Sequence, residues 1–161
     1  MTHLIDFVTN KCLIAGVSAW ILAQILKAVI HLIVNKKFDI HRLFGDGGMP
    51  SGHSATVASV ATMSALLFGF GSFQFAISAI LALIVGHDAM GVRLEAGKQA
   101  MVLNELIELM NAPLSTDVKL KEFLGHTPIQ VWAGCAVGIA VPLLMQLIPV
   151  FKQSILLMRA A

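Results

Sequence analysis

Four apolar stretches, each close to the length that a bilayer demands, divide the chain at positions of about 13–34, 50–68, 73–92 and 128–150. Roughly 20 mostly apolar residues cross a bilayer as a helix, and each stretch ends at glycine, proline or charge, where a helix stops. The pattern predicts an all-α polytopic membrane bundle of about four transmembrane helices, forming a single domain over residues 1–161. Gly69 to Ser72 leaves room only for a tight turn, so the second and third spans form an antiparallel hairpin. The long polar connection, 93–127, opens with Leu103, Leu106, Ile107 and Met110 at helical spacing opposite Glu105 and Glu108. Such a one-sided stripe predicts a helix lying in the membrane interface or against the bundle. A second short helix is expected between the cap Ser115-Thr116-Asp117 and Gly125.

Composition strengthens this picture. The chain is 57% hydrophobic and 12% charged, whereas a soluble domain keeps roughly a quarter of its residues charged to cover a solvated surface. A net charge of +2 without a dense basic run argues against nucleic acid as a partner. Cys12 and Cys135 lie in or beside apolar segments and read as buried thiols packing as small hydrophobes. Asp6 interrupts the first apolar residues and no basic region precedes them, so no cleavable signal is expected. Lys36, Lys37, Arg42, Arg93, Lys98, Lys119 and Lys121 fall on one face, against Lys11, Lys152 and Arg159 on the other. That asymmetry predicts a plasma (inner) membrane protein with the long loops in the cytoplasm.

Ionisable residues collect on the loop face. In Gly47-Gly48-Met49-Pro50-Ser51-Gly52-His53-Ser54 the glycines allow close backbone approach, and Pro50 suits the first turn of a helix. A helix starting there aims free N–H groups and its positive dipole end at an anion, with His53 one turn in. Gly125-His126-Thr127-Pro128 repeats the arrangement at the fourth span, and His87, Asp88 and Arg93 close the third. The topology therefore brings His53, Asp88, Arg93 and His126 to one membrane depth. Arg93 offers a planar fork to phosphate, and Asp88 can orient a histidine; at five residues apart the two are poor partners on one helix face. Each feature also has a plainer reading, as a helix cap, a solvated loop histidine or an interfacial boundary.

Lys27 lies seven residues inside the end of the first span, so at about 1.5 Å per residue it is buried by about 10 Å. A lysine there costs roughly 2.5–3.5 kcal/mol on insertion scales, so it either faces a partner inside the bundle or snorkels outward. Gln24 shares its side of the helix, one turn away.

With these residues in view, the chain resembles the divergent PAP2 family, membrane proteins related to acid phosphatases and vanadium haloperoxidases. The resemblance rests on AQILK at 23–27, GGMPSGHSA at 47–55, DAMGVRLEAGKQ at 88–99 and LGHTPIQVWAG at 124–134. It implies a metal-independent lipid phosphatase without cofactor. His126 would be the nucleophile that becomes a phospho-histidine, and His53 the general acid. Ser51 and Gly52 would cradle the phosphate, and Lys27 and Arg93 would clamp it. Where the superfamily has an aspartate four residues after the nucleophile, this chain has Gln130, which can accept an N–H bond; Asp88 is then the carboxylate available to His126. Leu120, between Lys119 and Lys121, occupies the position of an expected arginine, and the superfamily's first motif has only loose equivalents in Lys27 and Arg42.

The expected partners are the bilayer and a phosphorylated lipid: phosphatidylglycerophosphate, phosphatidate, or a polyprenyl phosphate or diphosphate. Two rivals accompany this reading. One is a metal-dependent lipid enzyme built on His41, Asp46, His87, Asp88 and His126. The other is a non-catalytic membrane protein that binds phosphorylated headgroups. A homo-oligomer is left open.

Overall fold

The computed structural model describes residues 2–36, 48–109, 120 and 125–160. Among these residues seven helices follow in order, α1 (Thr2–Val8), α2 (Lys11–Asn35), α3 (Gly52–Phe68), α4 (Phe73–Met90), α5 (Val92–Leu109), α6 (Pro128–Met145) and α7 (Pro149–Ala160), and no strand occurs among them. The protein is an all-α membrane helical bundle. α2, the α4–α5 stretch and α6 are long and apolar enough to cross a membrane, and α3 is a shorter apolar helix.

α3 sits at the centre, packed by α2, α4 and α6. Its composition explains that position. Ser54, Ala55, Ala58, Ser59, Ala61 and Ala65 are all buried, and small side chains let neighbouring helices approach closely where lipid supplies no hydrophobic drive. α6 answers with Gly134 and Gly138, four apart on one face. A Cβ on Gly134 would strike the backbone oxygen of Ser51, and one on Gly138 the backbone oxygen of Ala55 and the Cβ of Ala58. On the other side Gly16 of α2 lies against Val60 and Thr56. The outward faces carry Val17, Ile21, Ile25, Ile77, Ile84, Trp132 and Ile139, all exposed, as lipid contact requires.

Local chemistry sets the helix ends. Asn10 caps α2, its Oδ1 accepting from the N–H groups of Cys12 (3.0 Å) and Leu13 (3.2 Å). α3 starts two residues later than the sequence pattern suggests: Ser51 is its N-cap, accepting from the Ser54 N–H, so Pro50 lies ahead of the helix rather than in its first turn. Lys27 lies against Gly48, and Trp20 and Gln24 lie against Gly52. α2 continues eight residues past Lys27 to Asn35, or about 12 Å beyond it.

The fourth span is shorter than expected. After Met145 the hydrogen bonds tighten to i→i−3, from Leu147 to Leu144 and from Ile148 to Met145, before Pro149 starts the amphipathic α7. A residue preceding proline is disfavoured in helical geometry, which separates the two elements. α7 folds back on α3, with Ile155 packing against Ala15, Met63 and Leu67. The third span ends at Met90, two residues early, because the chain breaks at Gly91. In α5 the buried line is Gly97, Ala100 and Asn104, while Leu103 and Leu106 face outward, as suits a helix at the interface. The helix expected between 115 and 125 falls outside the described residues.

Gly138→Ala should destabilise the bundle by about 1–3 kcal/mol through overpacking against α3. Gly71→Ala, where an added Cβ meets nothing within 4 Å, should be silent. Thermal unfolding of both variants in detergent checks the contrast; equal melting temperatures would contradict the α3–α6 contact.

Candidate active site

The starts of α3 and α6 open side by side. Ser51 donates its backbone N–H to the Gln130 carbonyl at 3.0 Å, and Gly134 passes over Ser51 one turn further on. The end of α4 joins them, because the His126 N–H donates to the Ala89 carbonyl at 3.0 Å. Gly125 makes this approach feasible: it has φ +84°, and any Cβ there would collide with the backbone of Arg93 and Leu94. Three helix termini thus converge at one end of the bundle.

His126 is buried there, only 5% exposed, and its Nε2 has no hydrogen-bond partner among the described residues. Lys27, His53 and Arg93 are close enough to act on it electrostatically. Burial first, then the charges of Lys27, His53 and Arg93, push the His126 pKa below the ordinary imidazole value, partly opposed by a backbone hydrogen bond at Gly125. The residue precedes α6 and lies outside the spanning segment. A buried neutral imidazole among cations keeps a lone pair available, as a nucleophile at phosphorus requires.

Lys27 is 4% exposed, with its methylene stem along Gly48, so it is directed into the bundle end and does not snorkel. His53 is the second residue of α3 and is exposed. Ser51 is fully buried, and its hydroxyl accepts from the Ser54 N–H and, at 3.0 Å, from the Ser54 hydroxyl. Gly52 faces Trp20 and Gln24 on the side where its Cβ would stand. Both residues shape the helix start, and its N–H groups are the elements able to meet an anion.

Asp88 and Arg93 are direct partners, with Arg93 Nε donating to Asp88 Oδ2 at 2.6 Å. Their five-residue spacing would separate them on a straight helix; the break at Gly91 brings them together. Because the bond uses Nε, the terminal guanidinium nitrogens keep their fork. Gln130 is also engaged, its Oε1 accepting from the Thr127 N–H at 3.2 Å as part of the α6 cap. Among the described residues, neither Asp88 nor Gln130 hydrogen-bonds the His126 ring.

Among the described residues no group of three or more His, Cys, Asp or Glu side chains is placed to hold a metal ion. His41, Arg42, Asp46, Gly47, Lys119 and Lys121 lie outside the described residues. Sequence reasoning missed Asn104. It is buried in α5, and its side-chain amide donates to the Leu120 carbonyl and accepts from the Leu120 N–H, each at 3.0 Å. That clamp fixes the backbone six residues before His126. The one available signal was a lone amide in line with Gly97 and Ala100.

Fold and site together define an integral-membrane helical bundle with a buried, cation-flanked histidine at one end. The chain belongs to the divergent PAP2 family, whose sequence profile matches residues 8–141. It is 41% identical over 152 residues to a Bacillus subtilis (strain 168) protein called "Uncharacterized membrane protein YuiD", covering 87% of this chain and 96% of that relative. No solved structure matches the chain.

A proton titration of His126 by NMR should give a midpoint below the ordinary imidazole value, and Lys27→Met should raise it. The folded state binds this proton less tightly than the unfolded chain does. His126 therefore removes stability as pH falls through the ordinary imidazole range and contributes nothing above it. A midpoint unmoved in Lys27→Met would separate the two groups.

Proposed function

We propose that the protein is a metal-independent lipid phosphatase, hydrolysing a phosphate monoester of an amphiphilic lipid through a phospho-histidine. The reading is carried by the buried His126, whose Nε2 has no partner among the described residues and which lies among Lys27, Arg93 and His53 at the junction of two helix starts. A phosphate monoester needs charge neutralisation, an in-line nucleophile and a protonated leaving group. Lys27, the Arg93 fork and the α3 N–H groups supply the first, and Asp88 acts by holding Arg93 in place. His126 Nε2 attacks phosphorus as the ester P–O bond breaks, and His53 gives a proton to the departing alkoxide. Water, deprotonated by His53, then cleaves the P–N bond and releases phosphate and a neutral imidazole.

Phosphatidylglycerophosphate, phosphatidate and polyprenyl phosphates all fit this chemistry, with the tail left in lipid and the headgroup at the loop face. The excess of basic residues on that face supports a cytoplasmic site in the plasma membrane. A second reading, headgroup binding without turnover, draws on one observation: the Asp88 carboxylate is tied to Arg93 and the Gln130 oxygen to the α6 cap.

His126→Ala and His53→Ala should each lower phosphate release from detergent-solubilised lipid phosphates by about a hundredfold or more, and EDTA should have no effect. Acid-labile but base-stable phosphate trapped on the wild-type chain and missing from His126→Ala would identify the intermediate. Binding of lipid phosphate without release would favour the second reading, and EDTA inhibition would sink the first.

A further inference from the structure

Gln24 has so far had no role. It lies on α2 one turn before Lys27 and is 9% exposed, and its side-chain oxygen is buried without a hydrogen-bond partner among the described residues. Its amide carbon stands 4.0 Å from the position of a Cβ on Gly52, the first residue of α3. A buried carbonyl left without a donor costs about 1–3 kcal/mol, so such a group calls for a partner, and beside an anion-facing helix start a ligand can supply it. Among the described residues, Nε2 of His126 is likewise buried without a partner at this end of the bundle. The first belongs to a hydrogen-bond acceptor, the second to the proposed nucleophile.

An amide oxygen and an ionised phosphate oxygen are both acceptors and repel each other, so the Gln24 oxygen is not a seat for the phosphate itself. It requires an O–H or N–H donor. Because it adjoins the first residue of the anion-facing helix, that donor has to lie within a few bonds of phosphorus. Resting on the phosphatase reading, we propose that Gln24 is a specificity-determining contact, accepting a hydrogen bond from a substrate hydroxyl on the carbon next to the phosphate-bearing carbon. The favoured substrates are then lipids whose terminal phosphate sits on a polyol, such as a glycerol with its neighbouring hydroxyl free. Esters of a plain alcohol or a polyprenol leave the carbonyl buried and unbonded. A site that hydrogen-bonds a substrate hydroxyl discriminates strongly against analogues lacking it, because its own polar group is then left without a partner.

The test is a binding comparison that needs no turnover. Two short-chain lipid phosphonates, with a methylene in place of the ester oxygen and identical except for a hydroxyl on the carbon γ to phosphorus, are titrated into the full-length protein in detergent. Wild type should bind the hydroxylated ligand about tenfold more tightly, a difference on the scale of one net hydrogen bond. Gln24→Leu should bring the two affinities to within about twofold by weakening only the hydroxylated ligand. Gln24→Glu keeps an acceptor and should keep the preference while weakening both ligands through its charge; it serves equally if Gln24→Leu fails to fold. Equal loss of both ligands in Gln24→Leu would assign the amide to the phosphate and overturn the proposal. Equal affinities in wild type would overturn it too. Phosphate release is measured separately, so absence of turnover with the hydroxyl preference intact would refute the hydrolase reading and leave the Gln24 contact standing.

Discussion

The contact between α3 and α6 is the constraint on which the rest of the molecule depends. Two glycines on α6 leave no side chain between it and the α3 backbone, and the Ser51 N–H closes the gap onto the Gln130 carbonyl. In a bilayer this closeness cannot come from hydrophobic drive, because lipid tails are as apolar as leucine; it comes from dispersion between surfaces that fit. With α3 and α6 fixed together, their first turns must open at the same place. Everything chemical at that end follows from the register of a few small residues within the apolar interior.

The site shows how a cluster of like charges is tolerated at such a junction. Lys27 and Arg93 both act on His126, and the imidazole responds by favouring its neutral form. Arg93 is balanced by Asp88 through Nε alone, which offsets the charge without closing the guanidinium face. Asn104 and Gly125 contribute indirectly, the first by clamping Leu120 and the second by letting the chain press against Arg93 and Leu94. An anion entering this space would meet cations already held in position rather than recruited from solvent.

Much of the architecture was legible in the sequence because its signals are local. Apolar length marked the membrane segments, and the turn at 69–72 fixed the antiparallel hairpin. Glycine and proline at 125–128 marked the start of α6. The misreadings arose where a tertiary or hydrogen-bonding detail outweighed a local rule. Pro50 looked like a first-turn residue, but Ser51 takes the cap and moves the start. Asp88 and Arg93 looked mismatched because their spacing was judged on a straight helix, which Gly91 interrupts. α1 and the division of the last apolar stretch into α6 and α7 are marked by Asn10 and Pro149, a cap residue and a proline that a reading by apolar length passes over. The placing of His53, Asp88, Arg93 and His126 at one end followed from topology, whereas the inward direction of Lys27, the engagement of Gln130 and the buried oxygen of Gln24 depend on side-chain geometry that no spacing encodes.

α2 runs on for two further turns after Lys27, carrying Val29, Leu32, Ile33 and Val34 outward as exposed apolar side chains. Those side chains raise an apolar wall above Lys27 on the side of α2 turned away from the other helices. The ammonium thus stands about 12 Å short of the helix tip, and a ligand approaching it past α2 would meet hydrocarbon before it met charge.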